Sequence, residues 1–348
     1  MARIHLKKVV IVFVVLFFIT PVILVIAYGV NCRNFISPLN EEDYRDAIAK
    51  KESPLKMKED ELKKYEERLN TLSVALRRQF PNAVEYILQI LDDNIPTIYA
   101  ITPTHTRHVQ KAELVRLTNT FLHVKNFHWI LVEDSEYRTP LVTNFLAQSG
   151  LRYTHLNTAT PKNYKMKEND PHWLKPRGVE QRNLALDWLR ENIDIATNSG
   201  VVYFADDDNT YSLQLFEEMR FTEKVSVWPV GITGGLKFER PIVGEDGKVK
   251  GWYAAWRPQR PFAMDMAGFA LNLNLLKKYP NARFDITAKR GYLESSFLTQ
   301  LVTLNELEPR AELCTKVLVW HTRTEKPKWK EEDAMIAKGQ PSDPRVEV

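Results

Sequence analysis

The chain has 348 residues, 44% of them hydrophobic and 26% charged, with a net charge of +4. That is enough apolar material for one large domain or two ordinary ones, while the mild, dispersed basic balance argues against a dedicated nucleic-acid binder. Cys32 and Cys314 are the two cysteines, too few for a disulfide framework or a zinc cage.

Arg3, Lys7 and Lys8 precede an uncharged run over residues 9–30. The run is long enough to cross a hydrocarbon core as one helix and too long for the apolar part of a signal peptide. Pro21 inside it is tolerated in membrane helices. The basic residues place segment 1–8 in the cytoplasm, so everything after residue 31 faces the secretory lumen. A cleaved secretory signal is the competing reading, and no Asn-x-Ser/Thr sequon occurs. Residues 31–95 form a polar stem. In it Leu55, Leu62, Tyr65, Leu69, Leu72 and Leu76 fall on three- and four-residue steps, with a gap at Lys58. A short dimeric coiled coil and a single solvated helix both fit that spacing. Cys32, just beyond the apolar run, is placed for an inter-chain disulfide, with a free or lipidated thiol as the alternative.

From Ile95 onward the texture changes. Strands are expected over 96–102, ending at Pro103, and over 127–132, 153–156 and 200–204. Helices are expected over 111–124, 140–149 and 179–192 between them. This alternation predicts an α/β fold whose mostly parallel sheet carries helices on both faces. The second half has another rhythm. Segments 225–230 and 231–238 read as strands, 242–256 as a hairpin turning at Glu245, Asp246 and Gly247, and 269–279 as a helix. A helical run follows Glu294, and 316–320 is a last strand. Residues 96–208 and 209–327 are thus two halves of one globule, with a tail over 328–348.

The strand at 200–204 ends on Asp206, Asp207 and Asp208, at the edge where open α/β sheets bind ligands. Packed carboxylates repel, so holding them ionised calls for a cation, and hard oxygen ligands suit Mn²⁺ or Mg²⁺. A solvated acidic turn capping a helix over 212–220 accounts for the same residues. Arg177, Gly178 and Arg182 frame a helix start, where free N–H groups favour anions. Arg290, His321 and Arg323 can close the opposite side, and alternation puts His321 and Arg323 on one face. Each arginine taken singly reads equally as a surface ion pair. Glu294 opens a helix, which suits a general base and simple dipole complementation alike. No Gly-x-Ser-x-Gly, His-Glu-x-x-His, P-loop or Gly-x-Gly-x-x-Gly pattern is present.

Several of these stretches together resemble the β-1,3-glucuronosyltransferases, glycosyltransferase family 43. They are Thr102-Pro103-Thr104, Leu131-Val132-Glu133-Asp134, Pro176-Arg177-Gly178-Val179-Glu180-Gln181-Arg182-Asn183 and Tyr203-Phe204-Ala205-Asp206-Asp207-Asp208-Asn209-Thr210-Tyr211. Trp228-Pro229-Val230-Gly231, Asp265-Met266-Ala267-Gly268, Leu293-Glu294-Ser295-Ser296 and Val319-Trp320-His321-Thr322-Arg323 follow in order. The resemblance implies a GT-A fold, a homodimer, single-pass type II topology in the Golgi membrane, and UDP-glucuronate as donor with Mn²⁺. It implies inverting transfer to O3 of the terminal galactose of Gal-Gal-Xyl-Ser on a proteoglycan core protein. By family pattern Pro103, Thr104, His105 and Asp134 hold the uridine. Arg177, Arg182, Arg290, His321 and Arg323 hold the diphosphate and glucuronate. Asp208 is the metal ligand, with Asp206 and Asp207 near the donor sugar and ribose. Glu294 is the base, and Glu239, Trp256, Arg260 and Asp265 position the acceptor.

The chain departs from that pattern at three places. His105 stands where relatives carry an aromatic beside the uracil. Glu331 replaces an amide expected to reach the acceptor from the partner subunit, and Leu313 removes a glycosylation sequon. Two other functions are compatible with these residues: the same chemistry on N-acetyllactosamine-type acceptors, and a catalytically silent Golgi scaffold.

Overall fold

The structure is a computed structural model that describes residues 64, 95–166, 174–195, 198–325 and 327–343. The chain forms two compact units, residues 1–86 and 87–348. The apolar run at 9–30, the heptad seam from Leu55 to Leu76 and Cys32 all lie outside the described residues.

The second unit holds two sheets. Strands β1 (Thr97–Thr104), β2 (Phe127–Glu133), β3 (Tyr153–Asn157), β4 (Gly200–Phe204), β6 (Val225–Val227), β10 (Phe269–Asn272) and β11 (Leu307–Pro309) make the larger one, ordered β11-β6-β10-β4-β1-β2-β3. Its pairs are parallel except at β10, which runs antiparallel to both β4 and β6. Strands β5 (Thr210–Tyr211), β7 (Val230–Gly231), β8 (Phe238–Val243), β9 (Val249–Tyr253) and β12 (Val319–Trp320) make the smaller one, ordered β5-β12-β7-β8-β9.

Period-two alternation along the central strands divides the interior into two cores. Val202 and Phe204 of β4, with Tyr99 and Ile101 of β1, enter one; Val201 and Tyr203, with Ile98 and Ala100, enter the other. Helix α3 (Val179–Asn192) covers the first through Val179, Ala185, Leu186 and Leu189. Helices α1 (Gln110–Phe121), α2 (Pro140–Gln148) and α4 (Leu213–Arg220) cover the second. Phe204 stands edge-on to Phe284 at 5.0 Å between ring centres, and Phe284 stacks on Phe297 at 4.2 Å. Phe204→Ala would empty that site at a cost of about 3–5 kcal/mol. The expected layers are therefore present, with helices on both faces.

Four expected elements come out differently. The helix expected over 269–279 begins as strand β10, and the helix proper, α5, is only Asn274–Lys278. Phe269 and Leu271 point into one core and Ala270 into the other, the alternation of a strand buried on both faces. The single strand expected over 225–230 is split: β6 ends at Val227 and β7 begins at Val230, because Pro229 has no N–H for a ladder. Segment 231–238 is mostly a turn, with Gly234 and Gly235 at φ +60° and +76° and Ile232 N donating to Lys237 O at 2.8 Å. Strand β1 continues through Pro103 to Thr104. Its pairing with β4 stops at Ile101, so Pro103 needs no donor on that side.

Candidate active site

The parallel strands deliver their carboxyl ends to one rim, and the acid triplet sits there immediately after β4. Its three side chains do not converge. Asp207, 7% exposed, accepts from Thr104 Oγ1 at 2.7 Å on one oxygen and pairs with Arg107 at 2.7 Å on the other. Asp206 turns the opposite way, to Arg182 Nη2 at 2.5 Å, while Tyr211 donates to its carbonyl at 2.8 Å. Among the described residues the hydrogen bonds at Asp208 go to its carbonyl, from Arg116 Nη2 at 2.8 Å and Thr322 Oγ1 at 2.7 Å, and none to its carboxylate. Burial, then the charges of Asp206 and Asp207, push that carboxyl up to about 6. A bare anion so disfavoured gains from a cation, so Asp208 fits a divalent ion through a hard oxygen donor. No cluster of three His, Cys, Asp or Glu side chains that could hold a metal occurs among the described residues, so the triplet does not present three carboxylates to one ion.

The residues expected to hold the diphosphate stand near the same rim. Gly178 caps α3 at φ +67°, where a Cβ would fall 2.6 Å from Arg182 Nη1 and 3.0 Å from Pro103. The glycine lets the helix start and the end of β1 approach closely. Arg182, 4% exposed, also donates to Arg177 O at 2.8 Å, so its guanidinium is fixed between that carbonyl and Asp206. The Arg177 side chain itself is exposed, as is His105. Asp134, beyond β2, is held by Thr160 through N at 2.7 Å and Oγ1 at 2.9 Å.

On the other side, β12 ends at Trp320 and releases His321, Thr322 and Arg323. His321 Nδ1 lies 3.3 Å from Asp265 Oδ2, and Arg323 Nη2 lies 3.4 Å from His321 Nε2. Asp265 caps the short 3-10 turn Met266–Gly268 by accepting from Ala267 N, and Thr233 Oγ1 reaches it at 3.1 Å. A cleft of about 540 Å³ runs between His321, Thr322, Arg323 and the turn Ile232, Thr233, Gly234 and Gly235. Glu239 lies behind that turn, buried and pushed up by burial, its Oε1 accepting from Ala255 N. Gly234 leaves no room for a Cβ against that carboxylate.

Glu294 stands in the first turn of α6 (Leu293–Leu298). Burial pushes its carboxyl up to about 7; Asp265 adds to the rise, while Arg260 and Arg182 oppose it. Arg260 links the neighbours: it donates to Gly291 O and lies 5.1 Å from the Trp256 ring centre. Arg290, exposed, stands 5.8 Å from the same ring. Trp256 in turn meets Tyr292 edge-on at 6.2 Å. Arg182, Arg260 and Asp265 thus all lie within electrostatic reach of Glu294. Glu331 is exposed on helix α7 (Lys330–Ala337).

The sequence model of one family, Glycosyltransferase family 43, matches residues 117–325. The chain belongs to glycosyltransferase family 43. It is 54% identical over 304 residues to Galactosylgalactosylxylosylprotein 3-beta-glucuronosyltransferase 3 of Mus musculus, covering 85% of this chain and 90% of the relative. Galactosylgalactosylxylosylprotein 3-beta-glucuronosyltransferase 1 of Rattus norvegicus is 56% identical over 260 residues, 74% of this chain and 76% of that one. The Drosophila melanogaster Galactosylgalactosylxylosylprotein 3-beta-glucuronosyltransferase I is 54% identical over 261 residues, 74% and 85%. Among solved structures, S. aureus TarS 1-349 aligns at TM-score 0.41 and 15% identity over 65% of this chain and 60% of that one, too slight a likeness to bear on the fold.

Sequence reasoning about this family 43 enzyme missed the residues that hold its carboxylates. Arg107, Gln110 and Glu113 stand behind Asp207; Arg116 and Thr322 fix the Asp208 carbonyl; Thr233 supports Asp265. One signal was available. Gln110, Glu113, Leu114 and Leu117 form the buried stripe of α1 at helical spacing, and its first two members are polar. Buried polar groups in an apolar stripe require partners.

Proposed function

We propose that the protein transfers glucuronic acid from UDP-glucuronate to O3 of the terminal galactose of Gal-Gal-Xyl-Ser, inverting the anomeric centre, within a GT-A fold. One observation carries the reading. Glu294 opens α6 in reach of Asp265, Arg260 and Arg182, its carboxyl pushed up to about 7 by burial, while among the described residues the Asp208 carboxylate accepts no hydrogen bond. A general base works best with such a pKa.

The roles follow. The diphosphate lies among Arg182, Arg177, Arg290, His321 and Arg323, and the uridine among Pro103, Thr104, His105 and Asp134. A divalent cation, Mn²⁺ in this reading, would be held by Asp208 and would offset charge on the departing diphosphate. Glu294 takes the proton of the galactose hydroxyl as that oxygen bonds to C1 of the glucuronate. The C1–O bond to phosphate breaks with its electron pair leaving on UDP. Glu239, Arg260 and Asp265 orient the galactose, with Trp256 as the apolar wall. A homodimer in the Golgi membrane with a lumenal catalytic unit completes the proposal; the basic residues ahead of the apolar run at 9–30 support the lumenal orientation.

The test is full-length chain with UDP-glucuronate, Mn²⁺ and a Gal-Gal-Xyl acceptor, the product's anomeric configuration read by NMR. The expected product is a β1-3 glucuronide. Binding of UDP and Mn²⁺ with no transfer to any galactoside in an acceptor panel would overturn it.

A further inference from the structure

The loop between β1 and α1 contains a guanidinium that the reaction above does not use. Arg107 pairs with Asp207 Oδ1 at 2.7 Å, with Glu113 from behind, and donates to His105 O at 3.1 Å. Its side chain is 19% exposed; those of Glu113 and Asp207 are 3% and 10%. Thr104 closes the other oxygen of Asp207 at 2.7 Å and itself accepts from Gln110 Nε2 at 3.0 Å. Both oxygens of Asp207 are therefore engaged by the protein, and two buried carboxylates share one half-buried guanidinium. Asp208, next in the chain, has its carbonyl fastened, and its carboxylate accepts no hydrogen bond among the described residues. Of two neighbouring carboxylates, one is thus fastened through both oxygens and the other through neither.

We propose that Arg107, backed by Glu113, is a positioning residue that keeps Asp207 off the cation, so that the metal is retained only together with the nucleotide diphosphate. The proposal rests on the assignment of Asp208 as metal ligand. A lone carboxylate is a poor host for a hard divalent ion, which takes six or so oxygen ligands. The diphosphate oxygens must then supply part of the shell. Were Arg107 absent, Asp207 could swing toward Asp208 and form a two-carboxylate site that holds metal without nucleotide. The clamp thus makes metal and donor arrive and leave as a unit.

Free Mn²⁺ is counted by its EPR signal while Mn²⁺ alone is titrated into the full-length chain, and then again with UDP present. Wild type is expected to retain Mn²⁺ weakly alone and strongly with UDP. Arg107→Gln is expected to raise nucleotide-free Mn²⁺ affinity about tenfold, equivalent to ~1.4 kcal/mol. Asp207→Asn in the same chain should cancel that gain. Glu113→Gln, which loosens the guanidinium without removing it, should give a smaller gain and covers the case in which Arg107→Gln does not fold. Strong retention of Mn²⁺ by wild type without UDP, or no gain in either variant, overturns the proposal. Asp208→Asn separates the two ideas: if it leaves UDP-dependent Mn²⁺ retention intact, the metal assignment falls, whatever Arg107 does.

Discussion

His321 Nδ1 and Asp265 Oδ2 stand 3.3 Å apart, joining a basic residue released by β12 to the carboxylate that caps the turn before β10. The Asp265 carboxylate raises His321, outweighing burial and the nearby Arg323. Burial would raise Asp265 in turn, but His321, Ala267 N and Thr233 pull it down. A raised histidine carries its proton to higher pH and loses it only as the pH climbs through the elevated value, so the pairing with Asp265 widens the pH range over which the cleft holds a cation. Asp265→Asn is expected to lower the pH midpoint of the His321 ring proton signals in NMR and to weaken UDP binding roughly three- to tenfold at pH values between the midpoints of the variant and of wild type. An unchanged midpoint would show that the pairing does not set the charge of His321.

Glu294→Gln keeps the shape of the site and removes its proton acceptor. Turnover is expected to fall roughly 10²–10⁴-fold with UDP affinity unchanged. In wild type only ionised Glu294 can take the galactose proton, so kcat/KM should fall as pH drops through the region of about 7. Rates of the variant against pH check both points, since the acid limb belonging to Glu294 should vanish.

The same substitution should stabilise the fold. A carboxyl raised in the folded state costs nothing below its unfolded value, where both states are protonated. Its penalty grows with pH up to the folded value and is full above it. Glutamine mimics the protonated form, so Glu294→Gln should gain about 1–3 kcal/mol in alkaline solution, discounted for partial solvent access, and nothing in acid. Thermal melts of both proteins at the two extremes read the difference, and equal melting temperatures at high pH would contradict it.

Gly291 has φ +68°, and a Cβ there would sit 2.5 Å from Cζ3 of Trp256. Gly291→Ala therefore costs about 1 kcal/mol in backbone strain and pushes the indole aside. The expected result is a several-fold rise in acceptor KM with UDP binding kept, measured by initial rates and nucleotide titration. Equal loss on the donor side would place Trp256 elsewhere in the reaction.

The layers and the rim were legible because they rest on local pattern. Strands β1 to β4 alternate with helices at spacings that only a parallel sheet accommodates, and Asp206, Asp207 and Asp208 follow a wholly buried strand. Residues 269–272 were not legible: three apolar residues and an asparagine carry no period long enough to separate strand from helix, and their fate depends on β4 and β6 on either side. The break at Pro229 follows from a lost donor, but not which sheet each piece joins. Arg107 escaped notice because its two partners come from positions six and a hundred residues away. The divergence of the triplet escaped for the same reason: sequence gives adjacency, and the partners decide direction.

Strand β10, supplied by the later half of the chain, lies between β4 and β6 and runs against both. Exchanging everything beyond Asp208 as a cassette would therefore set the seam through the middle of the larger sheet. Exchange of the hairpin β8–β9 and its connecting turn, at the margin of the smaller sheet, leaves that seam intact and is the graft that the topology permits.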